Sequence, residues 1–249
     1  MSDPSFLATP GGRRIAYRKQ PGKGPGVVFL HGFKSDMTGS KAEHLADWAA
    51  RNGRAFLRLD YSGHGLSSGE FTDGAIGDWF EDARSAIEAL TEGPQVLVGS
   101  SMGGWIALLL ARTMPERVAG LVGVAAAPDF TEDIWERASE VERATLMREG
   151  RVEEPSDYSP EPYVITRRLI EDGRRWFVLQ SPLDLPFPAR FLQGTADTDV
   201  PQSVALRLLQ HVSGDDVRLT LVKGADHRFS TEACLALIET AVAEVLGND

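Results

Sequence analysis

Short apolar runs of four to six residues recur along this chain, separated by longer stretches of helical periodicity, and they restrict its fold more than any other feature. Candidate strands fall at residues 13–18, 26–30, 55–59, 95–98, 120–125, 189–192 and 217–222. Several are continuous in Val and Leu rather than alternating, the pattern of strands covered on both faces of a parallel sheet. Helical patterns lie between them at 40–52, 76–90, 102–113, 201–212 and 231–246. That alternation predicts an α/β doubly wound sheet. Residues 6–19, which contain the Gly11-Gly12 turn, read as an antiparallel hairpin at one edge.

One stretch breaks the pattern. Residues 128–187 hold no convincing core strand. They read as a charged helix over 132–149, a Pro-rich link (Pro155, Pro160, Pro162) and a second helix over 163–179. Connections within a domain are typically about 2–6 residues, so this segment is expected to be a helical cap over one end of the sheet. The organisation expected is a core of residues 1–127 and 188–249 with a cap at 128–187. The cap is acidic, with 14 acidic and 8 basic side chains in a chain whose formal net charge is −10. Its two basic pairs, Arg167-Arg168 and Arg174-Arg175, could clamp a substrate carboxylate, although a solvated helix face is the simpler account.

The chemistry concentrates at Gly99-x-Ser101-x-Gly103, between an apolar strand pattern and an apolar helix. A nucleophile elbow needs this context: a sharp strand-to-helix turn with small residues two before and two after the nucleophile. The helix start behind Ser101 offers free N–H groups to developing negative charge. His227, in a loop between the last strand and the last helix, emerges where ligands bind in open α/β sheets and is the candidate base. Asp197, early in the Gly194–Pro201 loop, is the candidate orienting carboxylate. Asp199 could instead cap the following helix, Asp226 adjoins His227 with poor geometry, and Asp129 is the competitor. His31 and His64 read as structural supports, and the turn from Asp60 to Ser67 likewise. The order Ser101, Asp197, His227 is that of α/β-hydrolase triads. The oxyanion donors expected are the backbone N–H groups of Phe33 and Met102, with Phe33 and Ser100 lining the substrate.

Composition narrows the alternatives. The acidic balance disfavours a nucleic-acid partner, which wants a basic face. A single cysteine, Cys234, forms no internal disulfide and builds no zinc framework, and its helical apolar setting marks it as core. No apolar run reaches membrane-spanning length, and residues 1–12 lack the apolar segment of a secretory signal, so a cytoplasmic address is expected. A serine at position 101 disfavours dehalogenase chemistry, which needs a carboxylate there.

The segments HGF, DYSGHGLS, GSSMGG, GTADTDVP and GADH, in that order, resemble the α/β-hydrolase superfamily over nearly the whole chain. Residues 32–42, 59–63 and 93–101 are similar to its branch of mitochondrial palmitoyl-protein thioesterases, also described as acyl-glucuronide esterases. The resemblance implies an α/β-hydrolase fold: a mostly parallel sheet of eight-stranded type, flanked by helices and carrying a helical cap. It implies a serine hydrolase without cofactor or metal, acting on acyl esters or thioesters of small molecules or acylated proteins. Ser101, Asp197 and His227 are carried over as its triad. The alternatives are a hydrolase-fold binding protein without turnover, and a cofactor-free perhydrolase using the same triad.

Overall fold

The Val- and Leu-rich runs become the inner strands of one sheet. The computed structural model describes residues 3–155 and 162–247. In chain order the large sheet is built from β1 (Ser5–Ala8), β2 (Arg14–Gln20), β3 (Lys23–Leu30), β4 (Arg54–Leu59), β5 (Gln95–Ser100) and β6 (Val118–Val124). Two later strands complete it after the intervening short strands β7 (Arg151–Glu154), β8 (Tyr163–Thr166) and β9 (Leu183–Asp184): these are β10 (Ala189–Gly194) and, past β11 (Val212–Ser213), β12 (Val217–Val222). Their spatial order is β1-β2-β4-β3-β5-β6-β10-β12, and β2 alone runs against its neighbours. The β1–β2 edge hairpin turns at Gly12, whose φ of 77° is a conformation glycine adopts without strain.

Helices cover both faces, which is why the inner strands carry no polar alternation. On one face, α1 (Ser40–Arg51) and α8 (Glu232–Leu246) bury Leu45, Trp48, Ile238 and Val242 against Val27, Phe29, Val96 and Val98. Cys234 is buried there with them. On the other, α2 (Ile76–Leu90), α3 (Met102–Thr113) and α7 (Gln202–His211) pack Trp79, Trp105, Ile106 and Leu208 over Val28, Leu57 and Leu97. Burying aliphatic and aromatic side chains of this kind contributes roughly 1.5–3 kcal/mol each. From β3 the chain goes first to β4 on one side and then to β5 on the other. The carboxyl ends of β3 and β5 therefore flank a topological switch point, where a crevice opens.

Between β6 and β10 the structure corrects the sequence reading in three places. The helix expected over 132–149 is two helices, α4 (Phe130–Arg137) and α5 (Glu140–Glu149). Ser139 starts the second with a capping box: its side chain accepts the Glu142 N–H, and the Glu142 carboxylate accepts the Ser139 N–H at 2.8 Å. The helix expected over 163–179 begins as strand β8, which pairs antiparallel with β7. Val164, Ile165 and Thr166 are β-branched, and Thr166 then caps a short helix, α6 (Arg167–Gly173), by accepting the Leu169 N–H. Helix α6 stops at Gly173, and beyond it the Asp129 carboxylate accepts the N–H groups of Val178 and Leu179 at 2.8 and 3.0 Å. Pro155 and Pro162 are described, whereas Pro160 of the same link lies outside the described residues. No helix among the described residues is long and apolar enough to cross a membrane.

Candidate active site

Ser101 occupies the turn between β5 and α3 at φ 55° and ψ −120°, a region a non-glycine residue enters only under constraint. The constraint is built from packing. A Cβ on Gly99 would collide with the Gly103 carbonyl, and one on Gly103 with the carbonyls of Leu30 and His31. The turn is therefore folded tightly on itself and pressed against the end of β3, which is why the motif requires glycine on both sides of the serine. The Ser101 N–H donates to the Val124 carbonyl at 2.9 Å, and its own carbonyl accepts from Gly104 and Ala127. These bonds keep the backbone in place while the side chain faces the crevice.

The loops after β10 and β12 bring two more groups to this point. His227 Nε2 lies 3.1 Å from Ser101 Oγ, and His227 Nδ1 lies 2.9 Å from Asp197 Oδ2. An ionised carboxylate only accepts, so the ring proton resides on Nδ1 and Nε2 is left to accept from the serine hydroxyl. Asp197 is itself fixed at four points. Oδ1 accepts the N–H groups of Asp199 and Val200 at 3.0 and 2.8 Å, and Oδ2 accepts from Gln193 Nε2 at 2.9 Å as well as from His227. Burial pushes this carboxyl up, but the bonds from His227, Val200 and Gln193 outweigh it and hold the group below the usual carboxylate range. Gln193 escaped the sequence reading, although a polar residue closing an apolar strand was its signal.

The rival carboxylates have other work. Asp129 is turned toward Val178 and Leu179, and burial raises its pKa. Asp199 does not cap α7, whose N-cap is Pro201; its carboxylate lies 4.0 Å from His227 Nε2. Asp226 Oδ1 accepts the Phe229 N–H at 3.1 Å within its own loop. Among the described residues, Asp197, Asp199 and His227 are the grouping with metal-ligand spacing, with ligand atoms within 4.8 Å of one another. Two of the three, His227 and Asp197, are joined by the Nδ1–Oδ2 hydrogen bond.

The N–H groups of Phe33 and Met102 have no hydrogen-bond partner among the described residues, and both residues line the crevice with Ser101, His227 and Ser100. Met102 is the first residue of α3, where an N–H has no intrahelical acceptor. Phe33 is held by its surroundings. The Lys34 N–H donates to His64 Nε2 at 3.2 Å, which leaves His64 Nδ1 to donate to the Ser62 carbonyl. Burial, reinforced by His31, drives His64 down to about 3, and burial drives His31 down to about 4, so both rings are neutral struts. Asp60 continues the support by accepting the N–H groups of Met37 and Leu66 at 2.7 and 2.9 Å. The Phe33 ring packs edge-on against Phe71, Trp79, Phe130 and Tyr163, with centroids 4.8–5.9 Å apart.

The crevice measures about 830 Å³, within the range of small-molecule sites. Phe33, Phe130, Ile134 and Ile165 give it an apolar wall, and Lys41, Arg137, Asp133 and Glu154 a charged one. Phe130, Arg137, Glu154 and Tyr163 come from the segment between β6 and β10, so that segment forms part of the site. The arginine pairs expected to be able to clamp a carboxylate do not line it. Arg167 pairs with Glu171, Arg168 with Asp78 and the Asp73 carbonyl, and Arg174 with Glu132. Arg168 and Arg174 thereby fasten α6 to α2 and α4.

A sheet of this order, with a serine on a strained elbow after β5 and an imidazole–carboxylate pair after β12 and β10, defines the α/β-hydrolase class. The chain belongs to that superfamily: the Hydrolase_4 family model, described as serine aminopeptidase, S33, matches residues 25–166. It is 35% identical over 243 residues to the mitochondrial palmitoyl-protein thioesterase ABHD10 of Bos taurus, an alignment spanning 97% of this chain and 79% of the relative. The solved structure of mouse alpha/beta hydrolase domain-containing protein 10 matches with a TM-score of 0.91 and 33% identity, covering 97% of both chains. A putative hydrolase from Agrobacterium vitis S4 matches with a TM-score of 0.94 and 41% identity, covering 98% of this chain and 99% of its own. The ABHD10 relatives are designated mitochondrial, and nothing in the comparisons supports the cytoplasmic address expected from the sequence.

Proposed function

We propose that this chain is a serine hydrolase of acyl esters and thioesters, working through an acyl-enzyme on Ser101. The observation that carries the reading is the unbroken run of hydrogen bonds from Asp197 through His227 to Ser101 Oγ. In the first half-reaction Ser101 Oγ attacks the acyl carbonyl while His227 Nε2 takes its proton. Asp197 keeps the imidazole in the tautomer that can accept and stabilises the imidazolium that forms. The tetrahedral oxyanion is received by the N–H groups of Phe33 and Met102, which have no other partner among the described residues and so need no rearrangement. Collapse expels the thiol or alcohol, protonated by His227. Water, activated by the same imidazole, then releases the acid. The apolar wall of Phe33, Phe130, Ile134 and Ile165 is assigned to the acyl group, with Ser100 beside it.

The relatives named as palmitoyl-protein thioesterases favour a thioester and a long acyl chain within this class. Residues 128–187 are proposed to act as the cap that selects the substrate, over a core of 1–127 and 188–249. The cytoplasmic address is also carried as a proposal, checked by fractionation of the native host. Rates measured in parallel on a palmitoyl thioester, a short acyl ester and an acyl glucuronide test the substrate class. The thioester is expected to give the highest kcat/KM, with turnover abolished by Ser101→Ala. Turnover of none of the three, or an undiminished rate in Ser101→Ala, would remove the proposal.

A further inference from the structure

Lys41 is the second residue of α1, where the positive end of the helix dipole disfavours a cation. It is half-buried in the wall of the crevice. Burial lowers its ammonium to about 8, opposed by Asp226 and Cys234 and assisted by Arg228. A charge placed against both its helix and its solvation must be held by something specific. Lys41 Nζ donates a 2.5 Å hydrogen bond to the backbone carbonyl of Arg228, the residue that follows His227.

The loop this bond reaches is the one that must hold the imidazole still. On its far side Phe229 is buried at φ 48°, and its N–H is taken by the carbonyl and the Oδ1 of Asp226, closing a tight turn around His227. The anchor at the other end is firm. Helix α1 is fastened to α8 by Glu239, which pairs with Arg51 at 2.8 Å, and to β4 by the Glu43–Arg58 pair at 2.7 Å. Lys41 thus joins a braced helix to the peptide immediately beyond the base, across a separation of 187 residues in sequence.

We propose that Lys41 is a positioning residue: its bond to the Arg228 carbonyl keeps His227 Nε2 within reach of Ser101 Oγ. This rests on the reading of His227 as the base. The reacting atoms lie 3.1 Å apart, and a displacement of about 1 Å in such a pair can cost on the order of 10²-fold in rate. Lys41 neither touches the reacting atoms nor supplies a proton, so its removal acts on kcat through the imidazole.

The test is a set of variants assayed on a neutral p-nitrophenyl ester. Lys41→Met is expected to lower kcat about 10- to 100-fold with KM nearly unchanged, and Lys41→Arg, which keeps a donor, to recover most of the loss. In a His227→Ala background, Lys41→Met is expected to leave the residual rate unchanged, because residues acting as one unit are non-additive. An equal loss in both backgrounds would mean general damage and overturn the proposal. So would an unchanged kcat, or an effect confined to KM. Lys41→Gln gives the same comparison if Lys41→Met does not fold. If His227→Ala and Ser101→Ala keep the wild-type rate, the base assignment fails and the proposal with it. If they lose it while Lys41→Met does not, only the Lys41 assignment fails.

Discussion

Replacing Asp197 with asparagine changes one oxygen to an amide nitrogen, and the surrounding donors decide which. Oδ1 receives two backbone N–H groups, from Asp199 and Val200, and neither can turn away. The asparagine oxygen is therefore forced into the Oδ1 position, and its NH₂ faces His227 Nδ1. Donating to Nδ1, the amide selects the tautomer with its proton on Nε2, which cannot accept from Ser101. The loss expected for a wrong tautomer at such a triad is about 10⁴-fold in kcat, or roughly 5 kcal/mol of transition-state stabilisation. Folding suffers less. The new NH₂ opposes Gln193 Nε2, and turning Gln193 over would sacrifice its bond to the Val200 carbonyl, a cost of about 1–3 kcal/mol. Steady-state hydrolysis of a p-nitrophenyl ester beside thermal unfolding separates the two effects. A kcat within tenfold of wild type, with the variant folded, would refute the reasoning.

Other consequences follow from the same contacts. Asp129→Ala strands the buried N–H groups of Val178 and Leu179, so it should destabilise by about 2–5 kcal/mol while leaving kcat of the folded protein within a few-fold, checked by urea denaturation and kinetics. Gly103→Ala drives a Cβ into the Leu30 carbonyl and should lower both stability, by at least about 1–3 kcal/mol, and kcat, since the elbow must shift. His31 and His64 are neutral when folded, at about 4 and about 3, but titrate near 6.5 when unfolded. The unfolded chain then binds more protons below pH 6.5, so their stabilisation is complete above that pH and is lost as pH falls toward 4, with a limiting slope of about 2.7 kcal/mol per pH unit. His64→Gln should halve that slope in urea midpoints measured across the range, and a flat profile would contradict the assignment.

Where local sterics dictate structure, the sequence was informative. Gly99 and Gly103 mark the elbow because a side chain at 99 would strike the Gly103 backbone and one at 103 the end of β3. The Val-rich runs mark inner strands because both faces are covered. Asp197 and His227 could be singled out because loops after parallel strands open at one edge of the sheet, and the structure brings both to Ser101. The segment between β6 and β10 was harder. Glu153 and Glu154 hide a short strand that exists only through pairing with β8. The break at Ser139 depends on a reciprocal cap, not on any helix breaker. Arg168 and Arg174 find their carboxylates on α2 and α4, partners far away in the chain. Lys41 gave no signal, since its acceptor is a backbone carbonyl that any residue at 228 would supply.

The most direct test of the central claim is the mass of the protein quenched during turnover of a p-nitrophenyl ester, followed by peptide mapping. One acyl group on the peptide carrying Ser101, absent from Ser101→Ala, is the predicted result. Turnover with no adduct at Ser101, or sustained by Ser101→Ala, would contradict it.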